Sequence, residues 1–376
     1  MQIAEPGFLR PRQSAPLSDH QERMVAKACP GAEVARWDRE PGAAIDPAWG
    51  PYRSILTGHA TDERVRFVGS SGGFLTAMSH FALRAGLVDA VVNVRAGGAD
   101  APLANPINIV DSPEALLDAA GSRYGPSAPL ATIARLLDDP RRFLFVGKPC
   151  DVSALRQLGT LDARVAERFP IMLSFFCAGV PSLTGSRRVI EAMGLPASEV
   201  TAFRYRGNGW PGKARAETAD GRSAEMDYET SWGGFLSKHV QFRCKICPDA
   251  VGGVADIACA DAWFGGESGY PQFEDRAGRS LVMVRTAAGE RLLAAALAEQ
   301  AVAVEPSSLR DIDLMQPSQK HRKTLVRART AALAATAMPR PRFRGVAVRD
   351  AARLAPLRDQ LRNFLGTAWR IIKGRQ

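Results

Sequence analysis

Four of the six cysteines are placed where they could together bind a metal ion or an iron-sulfur cluster. Cys244 and Cys247 form a C-x-x-C pair, while Cys150 and Cys177 each follow an apolar segment with the character of a strand. Thiolates are soft ligands, so four of them favour zinc or iron-sulfur over hard cations. A single C-x-x-C pair also occurs in redox dithiols and as half of a zinc site. The surrounding residues are therefore needed to distinguish between these kinds of site.

Composition and length predict a globular protein with a large core. Of the 376 residues, 46% are hydrophobic and 23% are charged, which suits a fold of two domains plus extensions. No stretch approaches the roughly 20 uncharged apolar residues of a membrane span, and the N-terminus lacks the layout of a signal peptide. We therefore expect a cytoplasmic protein whose cysteines stay reduced and serve as ligands or redox groups.

The net charge of +10 is unevenly divided along the chain. Residues 320–376 contain 15 Lys or Arg and two Asp, which gives this tail a charge of +13 and the rest of the chain −3. An enzyme that acts on nucleic acid would carry its basic residues on the working face. We therefore expect no nucleic-acid partner, and the basic tail needs an explanation of its own.

Alternating helix and strand signals predict a mixed α/β fold, with sheets flanked by helices. Apolar spacing predicts a helix over 74–85, and buried strands are predicted at 143–146 and 171–176. The last two strands precede Cys150 and Cys177, and open α/β sheets bind ligands beyond the carboxyl ends of their strands. Further strands are predicted at 88–94, 107–110, 200–205, 214–217, near 257 and at 281–285, and further helices at 152–158, 182–193, 232–239 and 290–300.

Glycine-bearing loops are candidates for binding a phosphorylated cofactor. Ser70-Ser71-Gly72-Gly73 directly precedes the helix at 74–85, so its backbone N–H groups and hydroxyls could hold an anion. A plain helix cap explains the same residues, because serine is a common cap residue. The loop 204–213 joins Arg204 and Arg206 to an aromatic face, which suits a pyrophosphate or a ring system. An exposed basic hairpin is the alternative for this loop.

Six short motifs follow one another along the chain: Ser70-Ser71-Gly72-Gly73-Phe74-Leu75-Thr76-Ala77-Met78, Gly121-Ser122-Arg123-Tyr124, Gly147-Lys148-Pro149-Cys150-Asp151, Phe176-Cys177, Cys244-Lys245-Ile246-Cys247-Pro248-Asp249 and Ala255-Asp256-Ile257. In this order they resemble the beta-subunit family of coenzyme F420 hydrogenases and dehydrogenases. The resemblance covers roughly residues 60–315. The same family includes formate dehydrogenase beta subunits and ferredoxin-dependent chlorophyll-pathway reductases.

The resemblance implies an oxidoreductase with bound FAD and a [4Fe-4S] cluster. Such a protein passes electrons between a two-electron donor or acceptor, such as deazaflavin, and a one-electron carrier, such as a ferredoxin-like protein. Carried over by position, the implied cluster ligands are Cys150, Cys177, Cys244 and Cys247. The candidate cofactor-binding residues, taken from the chemistry of the loops, are Ser70, Ser71, Gly72, Gly73, Tyr124, Lys148, Arg204 and Arg206.

Lys148 is the candidate for a catalytic role. Against the pyrimidine edge of a flavin it would stabilise the anionic reduced form, and the alternative is a solvated loop lysine. Many members of the family have Thr or a small residue here, which leaves the use of deazaflavin open. Tyr124 has two interpretations as well, packing on the flavin or a core tyrosine with a bonded hydroxyl.

The sequence also departs from longer members of the family. Only Cys29-Pro30-Gly31 remains of their N-terminal ferredoxin-like run of cysteines, so we expect no second cluster. Cys259 corresponds to an ordinary apolar position, and we expect it to be a buried core thiol. The predicted organisation has four parts: an irregular segment at 1–65 that is a remnant of the ferredoxin-like region, a family domain with the flavin loop at 66–145, a family domain with the iron-sulfur site at 146–318, and a basic helical tail at 319–376.

The end of the tail has the pattern of a basic amphipathic helix. From Leu354 onward apolar residues recur at helical spacing among arginines, with Trp369 between them. Such a helix lies on an anionic membrane, which would place the protein at the inner face of the membrane, or docks on an acidic partner. The alternative is a helix packed on the protein's own body, with its apolar stripe inward and its arginines facing water.

Two other classes of function stay open. Four thiolates could hold loops together around a structural zinc ion, without redox chemistry. The chain could instead be a non-catalytic electron-transfer subunit whose catalysis belongs to a partner subunit. The Ala- and Arg-rich composition is similar to that of high-GC bacteria, where family members lacking deazaflavin can accompany polysaccharide biosynthesis, and this context is implied by resemblance only.

Overall fold

The computed structural model describes residues 1–38, 40–265 and 272–374. The strands are β1 (Gln2–Ala4), β2 (Phe8–Arg10), β3 (Glu33–Val34), β4 (Ala44–Asp46), β5 (Gly50–Tyr52), β6 (Ser54–Ala60), β7 (Ala90–Val94), β8 (Ile107–Val110), β9 (Phe143–Gly147), β10 (Ile171–Phe175), β11 (Val200–Arg204), β12 (Ala214–Thr218), β13 (Ser223–Met226), β14 (Ile257–Asp261), β15 (Ser280–Val284), β16 (Val302–Pro306) and β17 (Arg342–Phe343).

Helices cover both faces of the main sheet and form most of the tail. They are α1 (Asp19–Ala28), α2 (Glu63–Val68), α3 (Phe74–Arg84), α4 (Pro113–Asp118), α5 (Ile133–Asp138), α6 (Pro149–Gly159), α7 (Arg164–Arg168), α8 (Leu183–Ala192), α9 (Phe242–Lys245), α10 (Ala287–Ala298), α11 (Leu309–Met315), α12 (Pro317–Thr324), α13 (Val326–Ala335), α14 (Val348–Ala352) and α15 (Leu357–Ile372). Shorter 3₁₀ or π-helical stretches are Pro129–Thr132, Glu229–Phe235 and Leu236–His239.

The central feature is an eight-stranded mixed sheet in the order β16-β6-β15-β14-β10-β9-β7-β8. β7, β9, β10 and β14 run parallel to one another, and the remaining pairs are antiparallel. Alternate residues of β9 enter two different core clusters, Phe143 and Phe145 on one face and Leu144 on the other. Because both faces are apolar, helices must cover both. The predicted mixed α/β fold with flanking helices is confirmed.

The parallel strands bring their carboxyl ends to one edge of the sheet. β9 ends at Gly147 and is followed directly by α6, while β10 ends at Phe175 and leads into the Cys177 loop. α6 begins three residues earlier than the predicted helix, because the Asp151 carboxylate accepts the backbone N–H of Lys148 at 3.1 Å and caps the turn. The chain segments that carry Cys150 and Cys177 therefore begin next to each other at the edge of the sheet.

A three-stranded antiparallel sheet, β11-β12-β13, lies beside the main sheet. Arg206, just beyond β11, joins the two sheets by donating two hydrogen bonds to Asp261, the last residue of β14, at 2.7 and 2.9 Å. The segment predicted to be helical over 232–239 is divided between π and 3₁₀ turns.

The segment 1–65, predicted to be irregular, contains regular elements. α1 has a complete capping box at Ser18, and β6 lies inside the main sheet between β15 and β16. Its partners are more than 200 residues away in sequence, so local patterning carries little signal for it. The four-part division of the chain stays a prediction.

Candidate functional site

Four thiols line one cavity, here called the thiol cavity, at the carboxyl edge of the main sheet. Its volume is about 410 Å³, and its walls include Cys150, Cys177, Cys244 and Cys247. Each of the six cysteines of the chain is a free thiol. The structure thus brings together all four predicted ligands, from three separate loops. Cys29 is exposed and lies outside the described lining of this cavity.

Backbone hydrogen bonds fix the cysteine loops against each other. The Cys177 N–H donates to the Ala250 carbonyl at 2.8 Å, so the loop after β10 is tied to the loop that follows the C-x-x-C pair. In that second loop the buried Asp249 carboxylate accepts the Gly253 N–H at 2.8 Å. These two contacts position the loops without using the sulfur atoms, and Cys244 Sγ in addition accepts the Val180 N–H at 3.4 Å.

Burial opposes the ionisation of three of these thiols. Burial raises the pKa of Cys150 and Cys247, and it raises the pKa of Cys177 to about 12, with the neighbouring Cys244 thiolate adding to the effect. A bound metal centre reverses this balance, because a coordinated thiol is deprotonated. Within residues 1–38, 40–265 and 272–374, no three Cys, His, Asp or Glu side chains form a group that could hold a metal ion as they stand.

A second cavity, here called the aromatic cavity, lies beside the first and has a volume of about 300 Å³. Six of the eight predicted cofactor-binding residues line it: Ser70, Ser71, Gly73, Tyr124, Lys148 and Arg206. Gly72 and Arg204 are outside its described lining. Its volume is at the lower end of the range for small-molecule sites, roughly 300 to 1,000 Å³.

The glycine-serine turn contributes a helix N-terminus to the aromatic cavity. Gly73 has φ of 67°, a left-handed conformation that glycine adopts freely, and no described side chain caps α3 behind it. Its neighbour Gly72 points elsewhere, since its N–H donates to Ser280 Oγ at 3.0 Å and an added Cβ would lie 2.6 Å from the Gly58 carbonyl oxygen. Close packing of backbone segments therefore accounts for glycine at 72.

The two serines of the turn are already hydrogen-bonded within the protein. Ser71 Oγ donates to the Arg279 carbonyl at 2.8 Å, and Ser70 Oγ accepts the backbone N–H of Ser122. Neither serine caps α3. Their hydroxyls fix the turn against neighbouring loops, and both serines also line the cavity.

Lys148 stands in the wall of the aromatic cavity and is mostly buried. Its Nζ lies 2.7 Å from an Asp151 carboxylate oxygen and 2.7 Å from Ser127 Oγ. Burial alone would lower the pKa of Lys148, but the Asp151 carboxylate outweighs burial and raises that pKa above its ordinary value. Lys148 is therefore a fixed cation rather than a solvated loop lysine.

Arg206 and Arg204 differ in whether their guanidinium groups have hydrogen-bond partners. Arg206 is fully buried, paired with Asp261, and stacked over Tyr228 with 4.3 Å between its Cζ and the ring centre. Arg204 Nη1 is buried without a hydrogen-bond partner among the described residues. This atom lies against Gly121, where an added Cβ would be 3.0 Å from it.

Aromatic rings that were not predicted as site residues form much of the second cavity. Tyr124 packs against Trp232 with ring centres 5.0 Å apart, and Tyr228 stacks on Trp263 at 5.4 Å. Tyr228 and Trp232 are four residues apart, whereas Trp263 follows β14, so no single local motif marks the three unpredicted rings as a group.

The two cavities share part of their walls. Asp151, Cys177, Gly179 and Val180 line both. Whatever occupies the aromatic cavity is thus separated from the thiols by little more than the Cys177 loop.

Comparison with known proteins shows the family of the chain. Two family models describe the N-terminal and C-terminal parts of the coenzyme F420 hydrogenase/dehydrogenase beta subunit. Residues 55–134 match the N-terminal model, and residues 140–309 match the C-terminal model. The chain belongs to this beta-subunit family.

Curated relatives within the family cover most of the chain. A coenzyme F420 hydrogenase subunit beta of Methanococcus voltae is 26% identical over 308 residues, which is 76% of this chain and 98% of the relative. The corresponding subunit of Methanosarcina barkeri is 25% identical over 275 residues, 69% of this chain and 84% of the relative. A chain in the solved F420-reducing [NiFe] hydrogenase complex from Methanosarcina barkeri superposes with a TM-score of 0.60 at 21% identity, covering 80% of this chain and 99% of that chain, which supports the same fold.

Basic residues beyond the family match hold the cysteine loops of this family member. Arg322 donates to the carbonyls of Cys177 at 2.7 Å and Ala178 at 2.6 Å. Two more basic side chains of the tail reach the C-x-x-C loop, Lys323 to the Pro248 carbonyl at 2.5 Å and Arg329 to the Lys245 carbonyl at 2.8 Å. Sequence reasoning noticed the cluster of charge in the tail but gave these three residues no role.

Cys259 lies on β14 and is 4% exposed, so the prediction of a buried thiol there is confirmed. Burial raises its pKa. Among the described residues, no helix of this family member is long and apolar enough to cross a bilayer.

Proposed function

We propose that this protein is an electron-transfer oxidoreductase that binds FAD in the aromatic cavity and a [4Fe-4S] cluster in the thiol cavity. The observation that carries the proposal is the shared wall, in which Cys177 lines both cavities. Electrons pass efficiently only over short distances, and a common wall gives the two centres a short path. The four cysteines would be the cluster ligands.

The donor set fits a cluster. Four soft thiols around a cavity of about 410 Å³ suit a multi-iron centre, which needs room between its ligands. A structural zinc ion is instead enclosed directly by its four sulfur atoms. Arg322 borders the same cavity, and its cation offsets part of the negative charge that four thiolates would bring.

The aromatic cavity fits a flavin nucleotide. Its rings offer flat apolar surfaces to a ring system, and the uncapped N-terminus of α3 offers backbone N–H groups to a phosphate. Arg204 lies behind the lining, but its Nη1, buried and without a partner among the described residues, lies against Gly121 of the cavity wall and is a candidate for a second anionic contact.

The residues of this chain would place and tune the two centres. Bound FAD exchanges two electrons at once, whereas a [4Fe-4S] cluster exchanges one at a time, which links two-electron and one-electron partners. Lys148 would keep a positive charge in the wall of the flavin site, because Asp151 and Ser127 hold its Nζ in place. A fixed cation there favours an anionic reduced flavin.

The relatives named above are hydrogenase subunits, and we extend this to a partner for the present chain. We propose that a two-electron donor or acceptor, deazaflavin or another carrier, meets the protein at the aromatic cavity. A partner subunit or a ferredoxin-like protein would exchange single electrons with the cluster.

Anaerobic purification followed by absorption spectroscopy and assays for iron, sulfide, zinc and flavin tests the proposal. We expect a yellow-brown protein with about four iron and four sulfide per chain, as a [4Fe-4S] cluster requires, and one FAD. A colourless protein with one zinc ion would contradict it and favour the structural alternative.

A further inference from the structure

The last helix, α15, packs on the protein through a largely polar face. Gln360 donates to the Thr324 carbonyl at 2.8 Å, Asn363 accepts from Arg329 at 3.1 Å, and Thr367 is fully buried. These residues recur at helical spacing and face α13. The alternative predicted from sequence, an inward apolar stripe, is therefore wrong in its orientation.

The apolar stripe of α15 faces outward instead. Leu357 is 83% exposed, Leu361 57% and Leu365 56%. The stripe continues through Trp369 and Ile372 and is preceded by the exposed Leu354. A run of large exposed apolar side chains over four turns is unusual for a soluble surface and marks a contact site.

Basic side chains border this stripe. Between residues 353 and 373 five cations accompany a single carboxylate, Asp359, and the guanidinium groups of Arg353 and Arg358 are 77% and 86% exposed. The remaining cations of the border are Arg362, Arg370 and Lys373. Long basic side chains beside an apolar stripe are the arrangement of helices that lie in the headgroup region of a membrane.

We propose that α15 docks the protein on a bilayer that contains anionic lipids. Leu357, Leu361 and Leu365 would enter the headgroup boundary, and the bordering cations would meet lipid phosphates. Charge excludes a second copy as the natural occupant, since two such helices would bring like charges together. Nucleic acid would satisfy the cations but would leave the leucine stripe in water.

The docking helix is connected to the thiol cavity through one side chain. Arg329 donates to Asn363 of α15 and also to the Lys245 carbonyl in the C-x-x-C loop. A bilayer beneath α15 would thus lie on the side of the molecule that carries this loop. The docking contact itself does not depend on which cofactors the cavities hold.

Co-sedimentation of the full-length protein with vesicles tests the proposal. Vesicles of phosphatidylcholine mixed with phosphatidylglycerol should bind the protein more tightly than phosphatidylcholine alone, and the binding should weaken as sodium chloride rises. The double variant Leu361→Gln, Leu365→Gln should bind at least about tenfold more weakly, because two apolar side chains no longer leave water. Both leucines are exposed, so the melting temperature should stay unchanged.

Two matched variants serve as controls. Leu161→Gln with Leu297→Gln changes exposed leucines outside α15, and Arg187→Gln with Arg188→Gln removes two exposed cations from α8; both should bind like wild type. Arg358→Gln with Arg362→Gln should abolish the preference for phosphatidylglycerol. Equal binding by wild type and the α15 leucine variant would overturn the proposal, as would a leucine-dependent dimer without vesicles. Absence of wild-type binding to either vesicle would also overturn it and point to an acidic protein partner.

Discussion

Three of the four thiols of the cavity lie in surroundings that disfavour their charged form. Cys150, Cys177 and Cys247 are all held in a buried setting that raises their pKa values. Such thiols are poor nucleophiles at neutral pH, because the thiolate is the reactive form. Cys150, Cys177 and Cys247 are thus poorly suited to act as free redox thiols.

Replacing Cys247 with Ser should remove most of the iron and sulfide from the purified protein. The serine hydroxyl is a harder and weaker ligand than a thiolate, so the cluster would lose one of its four attachments. Iron and sulfide assays on the anaerobic protein measure the effect. Cys29→Ser is the matched control, because Cys29 is exposed and outside the described lining of the cavity. Full iron content in Cys247→Ser would show that this thiol is not a ligand.

Arg204 offers a test of the flavin site that spares the fold. Its Nη1 has no described partner to lose, so Arg204→Gln should leave stability nearly unchanged. If that group contacts FAD phosphate, the FAD dissociation constant should rise about tenfold or more, the usual range for a hydrogen bond to a charged group. Fluorescence titration measures it, with Arg215→Gln on the exposed β12 surface as control. An unchanged dissociation constant would remove Arg204 from the site.

At the scale of elements, local sequence patterns predicted the helices and strands whose formation depends on neighbouring residues. The apolar run before Gly147 predicted β9 at nearly its observed bounds. β6 was missed because its sequence, with Gly58 and His59, alternates weakly and is held by strands far along the chain. The contacts of Arg322 with backbone carbonyls were missed for a related reason, since a carbonyl has no sequence signature.

Gly72 shows how a glycine motif can serve the fold at one position and the site at the next. Gly72→Val would place a side chain against the Gly58 carbonyl and the Ser280 N–H, 2.6 and 2.8 Å from the new Cβ. We expect the free energy of unfolding to fall by about 2 kcal/mol, as overpacking does. Urea denaturation measures it, and Gly98→Val, where no atom lies within 4 Å of an added Cβ, is the control. Unchanged stability with reduced FAD content would instead assign Gly72 to phosphate binding.

At the scale of the whole molecule, the tail beyond the family match is part of the candidate site. Residues after 309 supply Arg322, Lys323 and Arg329 to the carbonyls of the cysteine loops, and α15 packs against the helix that carries Arg329. The basic residues of the tail therefore have two uses. Some bond to the carbonyls of the cysteine loops, and others face solvent. The net charge counted from the sequence does not distinguish these two groups of side chains.

Arg329 links α15 to the C-x-x-C loop, and its removal should loosen the binding of the proposed cluster. Arg329→Gln would cost the hydrogen bond to the Lys245 carbonyl and the contact with Asn363. The C-x-x-C loop would open more often, so iron should pass to a ferrous chelator about tenfold faster under anaerobic conditions, consistent with losing a charged hydrogen bond of about 1.5 kcal/mol. Arg327→Gln is the matched control, because Arg327 lies on the same helix with its side chain in solvent. Equal release rates for the two variants would mean that the loop is held by its own backbone contacts, and that the tail covers the cluster site without stabilising it.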